Sequence, residues 1–141
     1  MATIRGKPVA QVTGGRSGIG RATAVRFAEL GYSWLISTSR TRRRHCACSK
    51  LRGSPTLDCA FNCAGVVTTN ATFVNTPEDE FDRVMGVSAK GVWLCLKYEI
   101  AQMLQQEPVM SDPGRWADKP DVCRFRGVRG SIVNASNISG L

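Results

Sequence analysis

A glycine-rich turn between a strand-like and a helix-like segment is the feature that most constrains the fold of this chain. The turn reads Thr-Gly-Gly-Arg-Ser-Gly-Ile-Gly over residues 13–20, after an apolar run at residues 8–12 and before a helical pattern at residues 21–30. In such a unit the free N–H groups of the first helical turn and the positive end of the helix dipole face an anion. The turn therefore predicts a site for a nucleotide pyrophosphate.

The glycines of this turn have separate tasks. We expect Gly14 to let the chain reverse tightly, Gly18 to let the backbone approach a phosphate, and Gly20 to let the helix pack closely on the strand. The other turn residues that we expect to contact the cofactor are Arg16, Ser17 and Ile19.

The segments around the turn predict a β-α-β unit that is complete by Ser37. Residues 7–13 are expected to form the first strand and residues 34–36 the second. The helix between them is expected to begin at Gly18 and to have Gly31 as its C-cap. Its predicted apolar face consists of Ile19, Ala22, Val25 or Phe27, and Leu30.

Two later segments, together with the turn, resemble the short-chain dehydrogenase/reductase family. Asn62-Cys63-Ala64-Gly65 ends a predicted strand at residues 57–63 and resembles the family's Asn-Asn-Ala-Gly motif. Residues 130–136 resemble the strand that enters the family's active site. The resemblance implies an α/β fold with a Rossmann-type doubly wound parallel sheet, here an incomplete N-terminal portion of it. It also implies NAD(P)(H)-dependent carbonyl/alcohol interconversion, with Asn62, Ala64 and Gly65 as further cofactor-binding residues.

The family's catalytic positions match only in part. The family places an Asn on its long helix, and Ser88 stands at that position. It places a catalytic Ser after the strand of residues 131–134, where this chain offers Ser136 and Asn137. Ser88, Ser136 and Asn137 are therefore the candidate catalytic residues, and none of them matches the family's catalytic pattern fully.

The family's proton donor is a Tyr with a Lys four residues later, a tuned phenol that acts as a general acid. Neither Tyr32 nor Tyr98 has a Lys at that spacing, and the motif would fall beyond Leu141. We expect an inactive, truncated oxidoreductase that would act on a small carbonyl or alcohol if completed. The alternative is a non-catalytic dinucleotide-binding or partner-binding remnant.

The residues after the second strand bear on the choice of cofactor. An acidic side chain there would bind the adenosine ribose and repel a 2′-phosphate. The chain has Thr38-Ser39-Arg40 instead, followed by three more arginines at residues 42–44. This favours NADP(H) over NAD(H), with Arg40 as the candidate contact. A solvated basic loop is the open alternative.

The rest of the chain is expected to complete a single domain over residues 1–141. Residues 41–56 form an irregular basic segment, too short for a full crossover plus a strand. A helix is predicted from Pro77 to about Gln106, with Thr76 as N-cap, acidic residues in its first turn and a bend near residues 86–88. Its apolar face could be core or the interface of a homo-oligomer. Residues 107–129 are predicted to be a long loop.

Composition narrows the functional class. The chain is 43% hydrophobic with no apolar run near the ~18 residues of a membrane span, and we expect a cytoplasmic protein with no membrane partner. The six cysteines are expected to be free.

His45, Cys46 and Cys48 lack a distant second pair of ligands, so no metal is expected. The net charge of +8 is concentrated in loops, which favours solvated segments over nucleic-acid binding.

Overall fold

The protein is described from a computed structural model, which covers residues 7–37, 56–68, 72–109 and 127–136. A first β-α-β unit is followed by two strands with a long helical segment between them. The strands are β1 (Val9–Thr13), β2 (Ser33–Ser37), β3 (Cys59–Asn62) and β4 (Ser131–Asn134). The helices are α1 (Gly18–Glu29), α2 (Glu78–Met85) and α3 (Val92–Leu104), with a π-helical segment at Gly86–Gly91 and a 3-10 turn at Phe73–Asn75.

The four strands form one parallel sheet in the order β2-β1-β3-β4. The chain leaves β1 in one direction to reach β2 and then crosses back to β3 on the other side of β1. Right-handed crossovers therefore place α1 and the later helices on opposite faces. This confirms the predicted doubly wound α/β fold. The order of the strands reverses between β1 and β3, and open sheets of this kind bind their ligands beside the carboxyl ends of such strands.

The core lies around the two central strands. Ala10 and Val12 of β1 are fully buried, as is Leu57 just before β3. Cys95 and Met103 of α3 pack on Leu57 and Ala60 in one buried cluster. Burial is continuous along the last four residues of β1, as expected for a parallel strand covered on both faces.

The predicted apolar face of α1 is wrong, because a different face of the helix packs on the sheet. Ile19, Val25 and Leu30 are all more than half exposed, and Ala22 is exposed as well. The buried residues of α1 are Gly20 and Ala24, with Phe27 half-buried. Small side chains let the helix approach the sheet closely, so the packed face is the one with the least apolar volume.

The predicted stop of α1 at Gly31 is confirmed, with the helix cap at Leu30 and Gly31 one residue beyond it. Gly31 has a φ of +82°. Its N–H donates to the Ala28 carbonyl at 3.0 Å, and the Tyr32 N–H donates to the Phe27 carbonyl at 3.0 Å. This is the Schellman pattern, and the Phe27 and Tyr32 rings lie 5.1 Å apart as its apolar contact.

The long predicted helix exists with two corrections. The Thr76 hydroxyl donates to the Thr72 carbonyl instead of capping the helix, and α2 begins at Glu78 with Pro77 at the cap position. Thr76 therefore closes the preceding 3-10 turn. The predicted bend is a π-helical segment over Gly86–Gly91, which joins α2 to α3 without breaking the helical path. The predicted acidic first turn is confirmed by Glu78, Asp79 and Glu80.

Several predictions fall on residues that the structure does not describe. The basic segment at 41–56 lies outside the described residues apart from Thr56, and so does most of the loop at 107–129. The two ends of that loop meet in an antiparallel bridge between Val109 and Val128, with both N–H···O distances at 2.9 Å. No helix in the described ranges is long and apolar enough to cross a membrane.

Cysteine and metal predictions can be followed for part of the chain. Cys59, Cys63 and Cys95 form no disulfide bond, and Cys95 is buried. Within the described residues no three His, Cys, Asp or Glu side chains are grouped as metal ligands would be. His45, Cys46 and Cys48, at which the sequence analysis expected no metal, lie outside the described residues.

Candidate cofactor-binding site

The turn after β1 requires glycine at Gly14 and Gly18, for different reasons. Both residues have positive φ, +71° and +52°, which side chains adopt only with strain. A Cβ on Gly14 would lie 3.0 Å from the Ala64 Cα, whereas one on Gly18 would meet nothing within 4 Å. The space beside Gly18 is therefore open, while Gly14 is in contact with the loop after β3.

Gly20 permits a close approach, but its neighbour is the turn itself. A Cβ on Gly20 would lie 2.5 Å from the Gly14 carbonyl oxygen. Real Cβ atoms do not approach a backbone oxygen this closely, so any side chain would displace the first turn of α1. The close neighbour of Gly20 is therefore the glycine turn, and not the strand that the sequence analysis predicted.

The start of α1 has the features that an anion requires. The helix has 12 residues, and none of its first-turn residues is acidic. Ser17 holds the cap position in an extended conformation without a side-chain hydrogen bond to the helix. Arg16, Ser17 and Ile19 are all exposed, Ile19 by 71%. A phosphate group would meet free N–H groups, a helix dipole and a nearby cation here.

Thr13 joins this turn to the loop after β3. Its hydroxyl oxygen accepts hydrogen bonds from the Cys63 N–H at 3.0 Å and the Ala64 N–H at 3.1 Å. The two loops at the switch point of the sheet are thus fixed against each other. Gly65 follows with an exposed backbone that no atom crowds within 4 Å of a built Cβ. Thr13 is absent from the sequence-based list of contacts because its role depends on two amides 50 residues away.

Asn62 has an interior side chain. It is 2% exposed, and its Nδ2 donates to a Glu99 oxygen at 2.9 Å and to the Asn134 Oδ1 at 3.0 Å. Its own Oδ1 has no hydrogen-bond partner among the described residues. The side chain thus bridges β3, β4 and α3. A contact of Asn62 with the cofactor stays a prediction.

Glu99 is a functional candidate that the sequence analysis missed. Its side chain has no exposed surface, and its Oε1 accepts from the Gln11 Nε2 at 3.0 Å. Burial raises the pKa of Glu99, while the hydrogen bond from Asn62 acts in the opposite direction. Glu99 lies four residues from both Cys95 and Met103, the buried residues of α3. This spacing is the one signal in the sequence that could have placed Glu99 on the buried face of α3.

Ser88 and Ser136, two of the three candidate catalytic residues, flank the same edge of the sheet. Ser88 lies in the π-helical segment, and its hydroxyl donates to the Val66 carbonyl in the loop after β3 at 3.5 Å. Single π-turns inside helices occur frequently at functional sites. Ser136 is exposed two residues after β4. Asn137 and Arg40 lie outside the described residues.

The residues present at this edge fit a dinucleotide. An open, glycine-lined backbone lies between a helix start without acidic residues and a second glycine-containing loop. Gly14, Gly18, Arg16 and Ser17 would hold the pyrophosphate side, and Ala64 and Gly65 would line the opposite side.

Similar proteins have been found by sequence. Residues 50–111 match the family model described as enoyl-(acyl carrier protein) reductase. The chain is 31% identical to secoisolariciresinol dehydrogenase of Forsythia intermedia over 72% of its own length and 46% of the relative's. It is 25% identical to a 2,5-dichloro-2,5-cyclohexadiene-1,4-diol dehydrogenase of Sphingobium indicum over its whole length and 58% of the relative's. The chain belongs to the short-chain dehydrogenase/reductase family.

Solved structures agree with this assignment at the level of the fold. A short-chain dehydrogenase/reductase from Burkholderia xenovorans superposes with a TM-score of 0.69 at 22% identity, over 96% of this chain and 62% of that one. The ligand-free aldohexose dehydrogenase of Thermoplasma acidophilum gives a TM-score of 0.61 at 20% identity, over 72% and 46%. The chain thus spans about half the length of the curated relatives that it matches. Dependence on NAD(P) is general to the family.

Proposed function

We propose that this chain binds a nicotinamide dinucleotide as the cofactor-binding part of a short-chain dehydrogenase/reductase. The observation that carries the proposal is the contact between the two loops at the switch point. Gly14 lies against Ala64, and Thr13 accepts hydrogen bonds from both amides that begin the second loop. The start of α1 beside them is open and free of acidic residues.

NADP(H) is the proposed form of the cofactor. Arg16 is exposed in the glycine turn, at the edge where the adenosine end would lie. The sequence adds Arg40 and the arginines at 42–44, with no acidic residue at the end of β2. Guanidinium groups bind phosphate oxygens in a bidentate fashion, so they favour a 2′-phosphate.

The proposed reaction class is carbonyl/alcohol interconversion on a small molecule. When bound, the reduced cofactor supplies the hydride. Ser88 and Ser136 offer hydroxyl groups that could orient a carbonyl oxygen, with Asn137 as a further donor in sequence. Proton donation requires a group that these 141 residues lack, because neither Tyr32 nor Tyr98 is followed by Lys at the fourth position. We therefore propose that the 141-residue chain binds cofactor without turning over substrate. Its cytoplasmic location stays a prediction.

A non-catalytic partner-binding role is the second candidate, and one observation favours it. Large apolar side chains are exposed along the helical segment of residues 77–106. They are Phe81, Met85, Trp93, Ile100 and Leu104. Self-association through this segment would bury them. Light scattering across a range of concentrations would show a dimer, and substitution of Trp93 by Glu should abolish it; a concentration-independent monomer would remove this candidate.

Titration of the purified chain with NADPH and NADH tests the main proposal. We expect saturable enhancement of nicotinamide fluorescence, with NADPH binding more tightly than NADH. We also expect no oxidation of NADPH when small aldehydes and ketones are added. Equal affinities would overturn the NADP(H) preference alone, and turnover would overturn the proposal that the chain is inactive. No binding of either nucleotide would overturn the function itself.

A further inference from the structure

A buried carboxyl group connects two strands of the sheet. Glu99 of α3 has no exposed surface, and each of its oxygens accepts a hydrogen bond from a side-chain amide. Gln11 donates from β1 and Asn62 from β3. A carboxyl group in the interior is costly unless such donors satisfy it. A Leu or Met would fill the same space in α3 at lower cost, so the arrangement calls for an explanation.

The two donors lie just before the two loops of the cofactor site. Gln11 precedes Thr13, the last residue of β1, by two positions, and Asn62 immediately precedes Cys63. In the parallel register Gln11 lies opposite Ala60, and Thr13 lies opposite Asn62. The oxygens of one side chain therefore fix both strands close to their carboxyl ends. Thr13 then joins the loops that follow.

The same network extends to β4. The Asn62 Nδ2 that donates to Glu99 also donates to the Asn134 Oδ1 at 3.0 Å. Because both Glu99 oxygens act as acceptors, the NH₂ group of Asn62 is turned toward Glu99. Asn134 must then present its oxygen to Asn62. Asn134 is the last residue of β4 and lies two positions before Ser136.

We propose that Glu99 is a positioning residue of the cofactor site, whose carboxyl group holds β1, β3 and β4 so that the loops at 14–20 and 63–65 keep the spacing that a dinucleotide needs. The proposal rests on the proposed cofactor binding. The hydrogen bonds of Glu99 go to Gln11 and Asn62, and Asn62 in turn bonds to Asn134, so Glu99 acts on the loops through these three residues. Substitution of Glu99 should therefore weaken cofactor binding by more than a general loss of stability would.

Gln106 provides a matched control for general stability. It is also buried, it follows the same helix, and its side chain bonds to both the N–H and the carbonyl of Leu57. Leu57 lies before β3, at the end of the sheet away from the cofactor loops. Met is similar in size to Glu and Gln, so substitution by Met at either position removes the buried hydrogen-bonding group and keeps most of the volume. Only the change at Glu99 should reach the cofactor loops.

The experiment compares NADPH affinity of the wild type with that of Glu99→Met, Glu99→Gln and Gln106→Met, at a temperature where circular dichroism shows each to be folded. We expect Glu99→Met to raise the Kd roughly tenfold or more, because it removes two buried hydrogen bonds and leaves their donors without acceptors. Gln106→Met should change the Kd by less than about twofold, as for a distant site. Glu99→Gln keeps one acceptor and should give partial rescue; it carries the comparison alone if Glu99→Met does not fold. Equal effects at the two positions would overturn the proposal.

Amide exchange gives a second readout that needs no cofactor. The Cys63 and Ala64 N–H groups donate to Thr13, so their exchange reports the spacing of the loops. We expect both amides to exchange faster in the Glu99 variants than in Gln106→Met at equal global stability. Unchanged exchange would overturn the positioning role. A wild type that binds no NADPH would overturn the proposed function, and the amide exchange would still decide whether Glu99 positions the loops.

Discussion

The hydroxyl oxygen of Thr13 lies 3.1 Å from the backbone nitrogen of Ala64 and accepts its hydrogen bond. The same oxygen accepts from Cys63 at 3.0 Å. The pairing of β1 with β3 ends at Thr13 and Asn62, and the Thr13 side chain continues the contact by bonding to the next two amides. The two loops that would enclose a dinucleotide are held together by this atom and by the contact of Gly14 with Ala64.

Substitution of Thr13 by Val should destabilise the protein through these two amides. Valine matches the shape of threonine but cannot accept a hydrogen bond, so two partly buried N–H groups lose their acceptor. We expect a loss of about 1–3 kcal/mol in the free energy of unfolding, measured by urea denaturation. Thr13→Ser retains the hydroxyl and should lose only about 1 kcal/mol for its methyl group. A Val variant as stable as the wild type would show that the hydroxyl bonds contribute nothing.

The stability of the protein should depend on pH through Glu99. Burial raises the pKa of Glu99 in the folded state, so folding favours its protonated form. That stabilisation is complete below the unfolded-state pKa of about 4.3 and is lost as the pH rises through the raised folded-state value. The free energy of unfolding of the wild type should therefore fall over this window relative to that of Glu99→Gln, which does not titrate.

Urea denaturation of both proteins at intervals from pH 4 to pH 8 measures this difference. The range avoids the thiol of Cys59 and the phenol of Tyr32, which titrate at alkaline pH. Burial raises the pKa of Cys59, and the charge of the neighbouring Cys59 raises the pKa of Tyr32. Parallel profiles for wild type and Glu99→Gln would contradict a raised pKa at Glu99.

Substitution of Gly31 by Ala should weaken the end of α1. Gly31 has a φ of +82°, and a Cβ there would meet no atom within 4 Å. The cost is therefore conformational, about 1 kcal/mol for a left-handed residue with a side chain. Gly86→Ala is the matched control, since Gly86 has a φ of −61° and equally open space. Thermal unfolding should show a lower Tm for Gly31→Ala than for Gly86→Ala, and the reverse order would refute the argument.

The sequence predicted those parts of the fold that depend on local backbone chemistry. The glycine turn, the stop at Gly31 and the acidic start of α2 all follow from which residues tolerate positive φ or favour a helix terminus, and the structure confirms each. The prediction of the apolar face of α1 was wrong, because the face that packs closely on the sheet carries the small residues Gly20 and Ala24 instead of larger apolar side chains. Apolar volume alone does not indicate which face can approach closely.

The candidate site was predictable in its glycines and not in its long-range bonds. Gly14 and Gly18 carry a conformational signature in the sequence. Glu99 does not, because a Glu in a helix is normally exposed and its acceptor role depends on Gln11 and Asn62 in distant strands. Thr13 and Ser88 likewise acquire their partners only when β3 is placed beside β1.

The most direct test of the account is the affinity for NADPH of the wild type, Gly14→Ala and Gly86→Ala, measured by isothermal titration. Gly14→Ala places a Cβ 3.0 Å from the Ala64 backbone at a positive φ, so it should separate the two loops. We predict that the wild type and Gly86→Ala bind NADPH with similar affinity and that Gly14→Ala, while folded, loses detectable binding. Absence of binding by the wild type, or unchanged binding by Gly14→Ala, would contradict the account.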